Sequence, residues 1–266
     1  MRRVAEREAA IEDHARVIEA ALRRFAAGEP GARVDDGPSA VLVGTPVERV
    51  GGLFSACVAR AGADPAEVMR RAGERAQESG RGQTVWVLPG RDAAVDVACW
   101  QAGLEPGPTL ALMVAEPGEA WAGTGSVAEG LRLRPVLDGG SAREFADVHL
   151  ERFGEGFEAV VGHFARPEVL LSDDVDAWVA DVDGGTAGCA MTVRTGDLAG
   201  LLWVATREAA RRRGIGGALT RLLCARAFAG GVRAVHLQAT EMGRPRASRT
   251  WRPSCRPRRP VPSGAR

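Results

Sequence analysis

Apolar side chains recur at helical spacing at the start of the chain, with charged residues between them. Over residues 5–27 this pattern predicts one amphipathic helix, because positions three and four apart share a helix face. The Gly-Glu-Pro-Gly run at 28–31 predicts its end. Two short segments, 32–35 and 40–43, are then predicted to form a pair of strands, with Asp36, Gly37 and Pro38 between them.

The following residues alternate between helix and strand patterns. The predicted helices are 46–61, 65–79 and 93–102, and the predicted strands are 84–88 and 109–116. Asp64 before Pro65 is a favourable helix start, and Gly103 is a favourable helix end. The stretch 117–129 is rich in Gly, Ala and Ser, which is typical of a linker between two units.

Beyond the linker, the patterns follow the order β-α-α-β-β-β-α-β. The predicted strands are 131–135, 178–182, 186–195, 198–205 and 234–240, and the predicted helices are 142–153, 157–165 and 212–228. Asp183, Gly184 and Gly185 are suited to the turn of a hairpin. This order predicts an α/β unit with a mixed sheet and helices on both faces.

The most informative stretch is LLWVATREAARRRGIGGALTRLL, residues 201–223. A buried strand ends near Thr206, a short turn follows, and the run Arg-Arg-Arg-Gly-Ile-Gly-Gly at 211–217 opens a helix. The start of a helix offers about four unpaired N–H groups and a partial positive charge. Glycines let an anion approach the backbone, and arginines add charged donors. The sequence therefore predicts an anion site at this helix start.

The pattern Arg211-x-x-Gly214-x-Gly216, between a strand and a helix, resembles the pyrophosphate loop of the GNAT superfamily of N-acetyltransferases. The resemblance covers about 131–240 by element order and about 198–228 by motif. It implies the GNAT fold, an α/β mixed sheet in three α-β-α layers. It also implies an enzyme that moves the acetyl group of acetyl-CoA, its co-substrate, to a primary amine by direct attack.

The first part of the chain also resembles this fold, since 84–116 follows the strand-helix-turn-strand order of its closing half. No RxxGxG motif occurs before residue 200. We therefore interpret 1–116 as a degenerate GNAT-like unit, with an unrelated α/β domain as the alternative. On this interpretation 130–243 is the acetyltransferase domain of a tandem protein.

The resemblance also assigns candidate site residues. Those implied to hold coenzyme A are Val204, Ala205, Thr206, Arg211, Arg212, Arg213, Gly214, Ile215, Gly216 and Gly217. The backbone N–H of Val204 is implied to polarise the thioester carbonyl. Glu208 is a weak candidate for the base, the alternative being a solvated carboxylate in a turn.

The sequence also offers weaker candidates for contact with the amine. His163 and Glu158 lie on predicted helices near where an acceptor could enter, and Asp173, Asp174 and Asp176 follow in a predicted loop. For His163 and Glu158 we expect a role on the helix surface, and the three aspartates form an acidic loop that suits a cationic amine. Trp203 and Cys189 are expected in the core. The catalytic base and acid stay unassigned.

The end of the sequence departs from the family pattern. The chain has no Tyr, the residue that the family usually offers as an acid, and residues 244–266 hold eight Arg, five Pro and no acidic residue. We interpret 244–266 as a disordered, out-of-frame tail that follows a frameshift near Pro245, so that the transferase domain is incomplete. The alternative is an in-frame basic tail that binds nucleic acid or an acidic partner. Loss of the closing elements predicts an exposed edge at strand 234–240.

Composition narrows the functional classes. A net charge of +1, with 45% hydrophobic and 26% charged residues, is typical of a globular protein and gives no reason to expect nucleic acid or a membrane as a partner. The charged N-terminus is not a signal peptide, so we expect a cytoplasmic protein, and the Arg- and Ala-rich usage indicates a bacterial gene. The five Cys lack metal-site spacing, so free thiols and no metal are expected.

Two alternatives to an enzymatic function stay open. One is a non-catalytic acyl-CoA-binding or regulatory module, or a pseudoenzyme. The other is a nucleic-acid-binding protein that works through its Arg-rich tail. For the enzyme, the partner is a small-molecule or peptide amine acceptor, and the sequence leaves a homodimer open.

Overall fold

A computed structural model of the chain describes residues 2–46, 55–80, 82–107, 110–118, 129–239 and 258–259. The chain divides into two compact units, residues 1–113 with 238–266, and residues 114–237. Most of the predicted linker lies outside the described residues, and so does the tail apart from Arg258–Arg259. The predicted domain boundaries stay a prediction.

In the residues that the structure describes, the first unit contains three helices and a sheet of four strands. The helices are α1 (Arg2–Ala26), α2 (Pro65–Ser79) and α3 (Ala93–Gln101), and the strands are β1 (Arg33–Asp36), β2 (Ala40–Gly44), β3 (Ser55–Ala59) and β4 (Thr84–Trp86). Their order is β1-β2-β3-β4, with only the β3–β4 pair parallel. A further short strand, β5 (Glu105–Pro106), follows α3.

Both faces of this sheet are covered by helices. On one face Leu22 of α1 packs in a cluster with Val41 and Trp86. On the other face, Val68 of α2 and Val95 of α3 lie in a second cluster with strand residues. The Asp64 side chain accepts from the Ala66 N–H at 3.1 Å, so the predicted start of α2 is confirmed. The first unit is therefore three-layered.

The predicted helix at 46–61 is wrong where the structure describes it, because residues 55–59 form β3. All five residues of β3 are buried, and the strand lies between β2 and β4. A short apolar run buried on both faces has no alternation of polar and apolar positions, so the pattern alone cannot separate it from a helix. Residues 47–54 lie outside the described residues.

The described residues from 110 onward form four helices and a larger sheet. The helices are α4 (Gly139–Phe153), α5 (Glu158–Ala165), α6 (Pro167–Leu170) and α7 (Ile215–Ala229), and the strands are β6 (Ala111–Ala115), β7 (Arg132–Pro135), β8 (Val175–Val182), β9 (Gly185–Thr195), β10 (Leu198–Thr206) and β11 (Ala234–Ala239). A last short strand, β12 (Arg258–Arg259), pairs antiparallel with β5. In the part of the chain that the structure describes, no helix is both long enough and apolar enough to cross a membrane.

The six-stranded sheet has the order β6-β11-β10-β9-β8-β7. The predicted element order from β7 to β11 is confirmed, with α6 as an addition. Asp183 and Gly184 have φ values of 55° and 82°, as the tight turn of the β8–β9 hairpin requires. The predicted exposed edge at 234–240 is wrong for the described residues, because β11 lies between β6 and β10.

Helix α7 covers one face of this sheet and α4 the other. Ile215 and Leu219 of α7 pack in a core cluster with Ala190 of β9 and Leu201 of β10. The neighbouring Cys189, whose side chain points to the opposite face of β9, donates its S–H to the Phe145 carbonyl of α4 at 3.7 Å. The sheet is mixed and has helices on both faces, as predicted.

A single glycine sets how closely α7 approaches the sheet. A Cβ placed on Gly188 of β9 would lie 2.8 Å from Cγ2 of Ile215 and 3.0 Å from the Ala205 carbonyl oxygen. The first distance is shorter than real Cβ contacts and the second is tighter than most of them, and the carbonyl belongs to backbone that cannot rotate away. Gly188 therefore fixes the position of the first turn of α7.

We expect Gly188→Ala to lower the free energy of unfolding by about 1–3 kcal/mol, because the methyl group overpacks the contact with Ile215. The measurement is chemical denaturation followed by circular dichroism. The control is Gly162→Ala on α5, where a Cβ meets nothing within 4 Å and which gains up to about 1 kcal/mol from better helix propensity. Equal stability of Gly188→Ala and the parent chain would contradict this account of the packing.

Candidate active site

The end of β10 leaves the regular sheet. Its parallel pairing with β11 runs from Leu198 to Leu201, although β10 continues to Thr206. On its other side, the register with β9 shifts between Leu202 and Ala205. The two residues in between therefore lie outside both ladders of paired residues. One of them, Trp203, has a φ of 54°, which is unusual for a residue with a side chain.

The loop after β10 leads into helix α7, whose N-terminus has no side-chain cap. A 3₁₀ turn at Glu208–Ala210 leads to Arg212 and Gly214, whose φ values of 64° and 78° are left-handed. Helix α7 starts at Ile215, with Gly214 as its N-cap, and no side chain caps its first amide groups. The predicted start of this helix at residue 212 is wrong, because the left-handed residues keep the chain out of the helix until Ile215.

The start of α7 lies directly against the end of β10. A Cβ placed on Gly216 would lie 3.7 Å from Oγ1 of Thr206 and 3.7 Å from Cγ1 of Val204. Ile215 is buried in the core, so it offers only its backbone to a ligand. Gly217 is exposed. The predicted coenzyme residues of β10 and of the helix start are thus brought to one place.

The three arginines of the loop differ in their surroundings. The side chains of Arg211 and Arg212 are exposed. Arg213 donates to Asp183 in the β8–β9 turn at 2.8 Å, and this guanidinium lowers the pKa of the Asp183 carboxyl. The loop therefore has two exposed positive charges just before the helix in sequence, while Arg213 ties the loop to the hairpin.

A carboxylate that sequence reasoning missed holds the turn before this loop. Glu151 of α4 accepts from the Arg207 guanidinium and, at 3.1 Å, from the backbone N–H of Glu208. Arg207 also donates through Nε to the Thr186 carbonyl of β9 at 2.7 Å. The Arg207 guanidinium lowers the pKa of the Glu151 carboxyl. Glu151 is thus an ionised anchor for the turn, while the side chain of Glu208 is exposed.

The weaker candidates do not gather into one site. His163 is buried, so the expected surface role is wrong for it, and its carbonyl accepts from Arg166. Glu158 is exposed and accepts from the Gly156 N–H at 3.3 Å. The predicted loop position is wrong for Asp176, which lies in β8. Its carboxylate accepts from Arg226 Nε at 2.6 Å and from Trp178 Nε1 at 2.7 Å, so its charge is already balanced.

For the other two aspartates, Asp173 is exposed and the carbonyl of Asp174 accepts from the Arg194 N–H at 2.8 Å. Cys189 is fully buried, as predicted, and burial raises the pKa of its thiol. Among the described residues, Cys57, Cys99 and Cys224 are also buried free thiols. The described part of the chain holds no cluster of three His, Cys, Asp or Glu side chains suited to a metal ion.

An aromatic cluster lies on the α4 and α5 side of the β10 bulge. Its members are His149, Phe153, Phe157, Phe164 and Trp203. The Trp203 ring stacks on Phe164 with centroids 3.6 Å apart and meets His149 edge-on at 5.7 Å. Trp203 was expected in the core, but it is only half-buried, as are Phe153 and Phe157.

Burial lowers the pKa of His149 to about 4, and the Trp203 backbone partly offsets this effect. The imidazole is therefore neutral at pH 7. A neutral ring fits the apolar surroundings of the aromatic cluster, where a charged imidazolium would lose its hydration.

Comparison with known proteins gives a family match within the second half of the chain. Residues 173–249 match the family model of the acetyltransferase (GNAT) domain. The chain contains a GNAT acetyltransferase domain. Comparison of the sequence with curated proteins gave no match.

Solved structures show that the GNAT fold extends over both units. The chain is similar to a GCN5-related N-acetyltransferase from Kribbella flavida, with 19% identity, a TM-score of 0.67 and coverage of 92% of this chain and 93% of that one. It is also similar to a tandem GNAT protein from the clavulanic acid biosynthesis pathway, with 13% identity, a TM-score of 0.58 and coverage of 91% and 93%. A GCN5-related N-acetyltransferase from Sphaerobacter thermophilus gives 20% identity, a TM-score of 0.57 and coverage of 94% and 91%.

The anchor at Glu151 predicts a local effect on the turn of the GNAT domain. We expect Glu151→Ala to speed amide hydrogen exchange at residues 208–213 by up to about fivefold, because an exposed ion pair contributes about 1 kcal/mol or less. Hydrogen–deuterium exchange with mass spectrometry measures this. Glu155→Ala, which removes an exposed carboxylate from the same region, is the matched control and is expected to leave the exchange unchanged. Unchanged exchange in both variants would rule out the anchor.

The neutral His149 predicts a pH dependence of stability. Its pKa of about 4 in the folded protein lies below the ordinary 6.5, so the unfolded chain binds the extra proton more readily. As the pH falls from about 6.5 to about 4, this group removes up to about 3 kcal/mol from the free energy of unfolding. Denaturation curves across this range should have a shallower pH slope for His149→Phe than for the parent chain. Identical slopes would show that His149 does not stay neutral in the folded state.

Proposed function

We propose that this chain transfers the acetyl group of acetyl-CoA to a primary amine, which attacks the thioester directly. The observation that carries the proposal is the uncapped, glycine-lined start of α7, which lies against the bulged end of β10. The start of α7 suits a diphosphate, and the end of β10 suits an extended thioester arm. Their contact makes a single site for a molecule that has both.

The loop is proposed to hold the pyrophosphate of coenzyme A. The amides of Ile215, Gly216 and Gly217 supply N–H donors, and the helix start adds a partial positive charge. Gly214, as N-cap, leaves no side chain in the way. Arg211 and Arg212 supply exposed positive charge, and Arg213 contributes from the hairpin side.

The end of β10 is proposed to hold the pantetheine arm and to polarise the thioester. Val204, Ala205 and Thr206 offer backbone groups along an edge that β11 does not pair with. An extended arm can add to such an edge as a strand does. The Val204 N–H, outside both ladders, is proposed to donate to the thioester oxygen, where negative charge develops as the amine attacks.

The proposed reaction also needs a base or a chain of water molecules to remove a proton from the amine. An aliphatic amine is mostly protonated at pH 7, so a proton must leave before attack. Glu151 is a poor choice for this task, since Arg207 holds it as an ion-paired carboxylate with a lowered pKa. Glu208 stays a weak candidate because its exposed side chain lies in the turn.

The domain plan is proposed on the same basis. We interpret 130–243 as the acetyltransferase domain and 1–116 as a degenerate GNAT-like unit without a phosphate loop. The three-layered first unit and the similarity to a tandem GNAT protein over 91% of the chain support this plan. The reaction is proposed to take place in the cytoplasm of a bacterium.

A charge placed at the start of α7 tests the proposal. Gly217→Glu adds a carboxylate that suits the helix start and so preserves folding, but it repels a bound diphosphate. We expect the KM for acetyl-CoA to rise about tenfold or more, while the KM for S-acetylpantetheine, which lacks the diphosphate, stays the same. The neutral Gly217→Gln is the matched control. The measurement is release of free thiol with a panel of primary amines.

Two outcomes would contradict the proposal. If the carboxylate changes the KM values for both thioesters equally, the loop does not hold the diphosphate. If the parent chain binds acetyl-CoA in a calorimeter but releases no thiol with any amine, the chain is a non-catalytic binding module.

A further inference from the structure

The β10 bulge separates two different surfaces. The side chains of Val204 and Thr206 lie beside Gly216 at the start of α7, where the diphosphate is proposed to bind. The side chain of Trp203, the residue before Val204, points away from α7, because its ring contacts come from His149, Phe153 and Phe164 on α4 and α5. The aromatic cluster thus begins at the residue next to the proposed thioester donor.

A nucleophile must come within about 3–3.5 Å of the thioester carbon to react. If the Val204 N–H donates to the thioester oxygen, the attacking nitrogen lies within a few ångströms of the bulge. The rest of the acceptor must then lie along the surface next to the bulge. On the α4 and α5 side, the half-buried rings of Phe153, Phe157 and Trp203 supply that surface.

We infer that the aromatic cluster is the acceptor subsite and that it takes a primary amine carrying an aromatic ring. The inference rests on the proposed function, since it locates the acceptor from the thioester. Phe153 and Phe157 lie with their rings 5.6 Å apart at 20°, and Phe153 meets Trp203 at 6.4 Å and 72°, so the cluster combines stacked and edge-on ring contacts. A flat aromatic group can stack or pack edge-on against such rings.

The absence of positive charge on the rings of the cluster also suits such an amine. His149 lies against Phe153 at 6.1 Å and is neutral at pH 7, so it does not repel an ammonium group. Aromatic faces attract an ammonium group before it loses its proton. A polyhydroxylated amine is disfavoured, because its hydroxyl groups would lose water against the rings without gaining hydrogen-bond partners.

Matched amines test the class of acceptor. The amines are 2-phenylethylamine, 2-cyclohexylethylamine and glucosamine, and the readout is kcat/KM from thiol release at saturating acetyl-CoA. We expect 2-phenylethylamine to exceed 2-cyclohexylethylamine by about five- to tenfold and glucosamine by more. Equal values for the phenyl and cyclohexyl amines would overturn the aromatic preference, and a preference for glucosamine would overturn the subsite.

Matched variants test the location of the acceptor subsite. Phe157→Leu keeps an apolar side chain but removes a ring, and is expected to lower kcat/KM for 2-phenylethylamine about five- to tenfold without changing the KM for acetyl-CoA. Phe228→Leu replaces another half-buried ring at the far end of α7 and is the control. If Phe157→Leu and Phe228→Leu give the same values, the subsite lies elsewhere.

A binding measurement separates this inference from the proposed function. Calorimetric titration of 2-phenylethylamine into the chain saturated with CoA does not depend on turnover. Binding that Phe157→Leu weakens and Phe228→Leu does not supports the subsite even if no thiol is released, in which case only the transferase proposal fails. Absence of binding together with thiol release from other amines would overturn the subsite and leave the transferase in place.

Discussion

The departure of β10 from its neighbours after Leu201 is the constraint on which the candidate site depends. A strand paired on both sides would have no backbone groups left for a thioester arm. Here the pairing with β11 stops and the register with β9 shifts, so the backbone turns at Trp203. A left-handed residue with a side chain costs on the order of 1–3 kcal/mol. The stacking of Trp203 on Phe164 and its contact with His149 offset that strain.

Three other contacts bring the remaining parts of the site to the bulge. Gly188 lets the first turn of α7 approach β10, so that the uncapped amides lie beside Val204 and Thr206. Glu151 fixes the turn between β10 and the loop by accepting from Arg207 and from the Glu208 amide. The aromatic cluster covers the opposite side of the bulge. The proposed diphosphate site, the proposed polarising amide and an apolar surface therefore meet at one strand end.

Hydrophobic periodicity and turn residues predicted the order of elements in the second unit, since its strands and helices are long and strongly patterned. They failed at β3, because a short strand buried on both faces gives the same apolar run as a helix. The glycine and arginine run marked the loop, but the start of α7 was placed too early because Arg212 gives no sign in the sequence of its left-handed backbone.

The supporting contacts could not be predicted because they join distant parts of the chain. Glu151 and Arg207 are 56 residues apart, and neither lies in a motif. The sequence pattern predicts Trp203 as a core residue of a strand, and only the bulge turns its ring toward α4 and α5. The edge expected at β11 is covered because β6, from more than a hundred residues earlier, pairs with it. Such contacts follow from the fold rather than from local pattern.

The most direct measurement is amide hydrogen exchange at the start of α7 with and without CoA. The account predicts slower exchange at residues 215–217 when CoA binds, additional slowing at Val204 when acetyl-CoA supplies the thioester oxygen, and slowing at Val204 alone when S-acetylpantetheine replaces it. Unchanged exchange at residues 215–217 under saturating CoA would contradict the central claim that these amides hold the diphosphate.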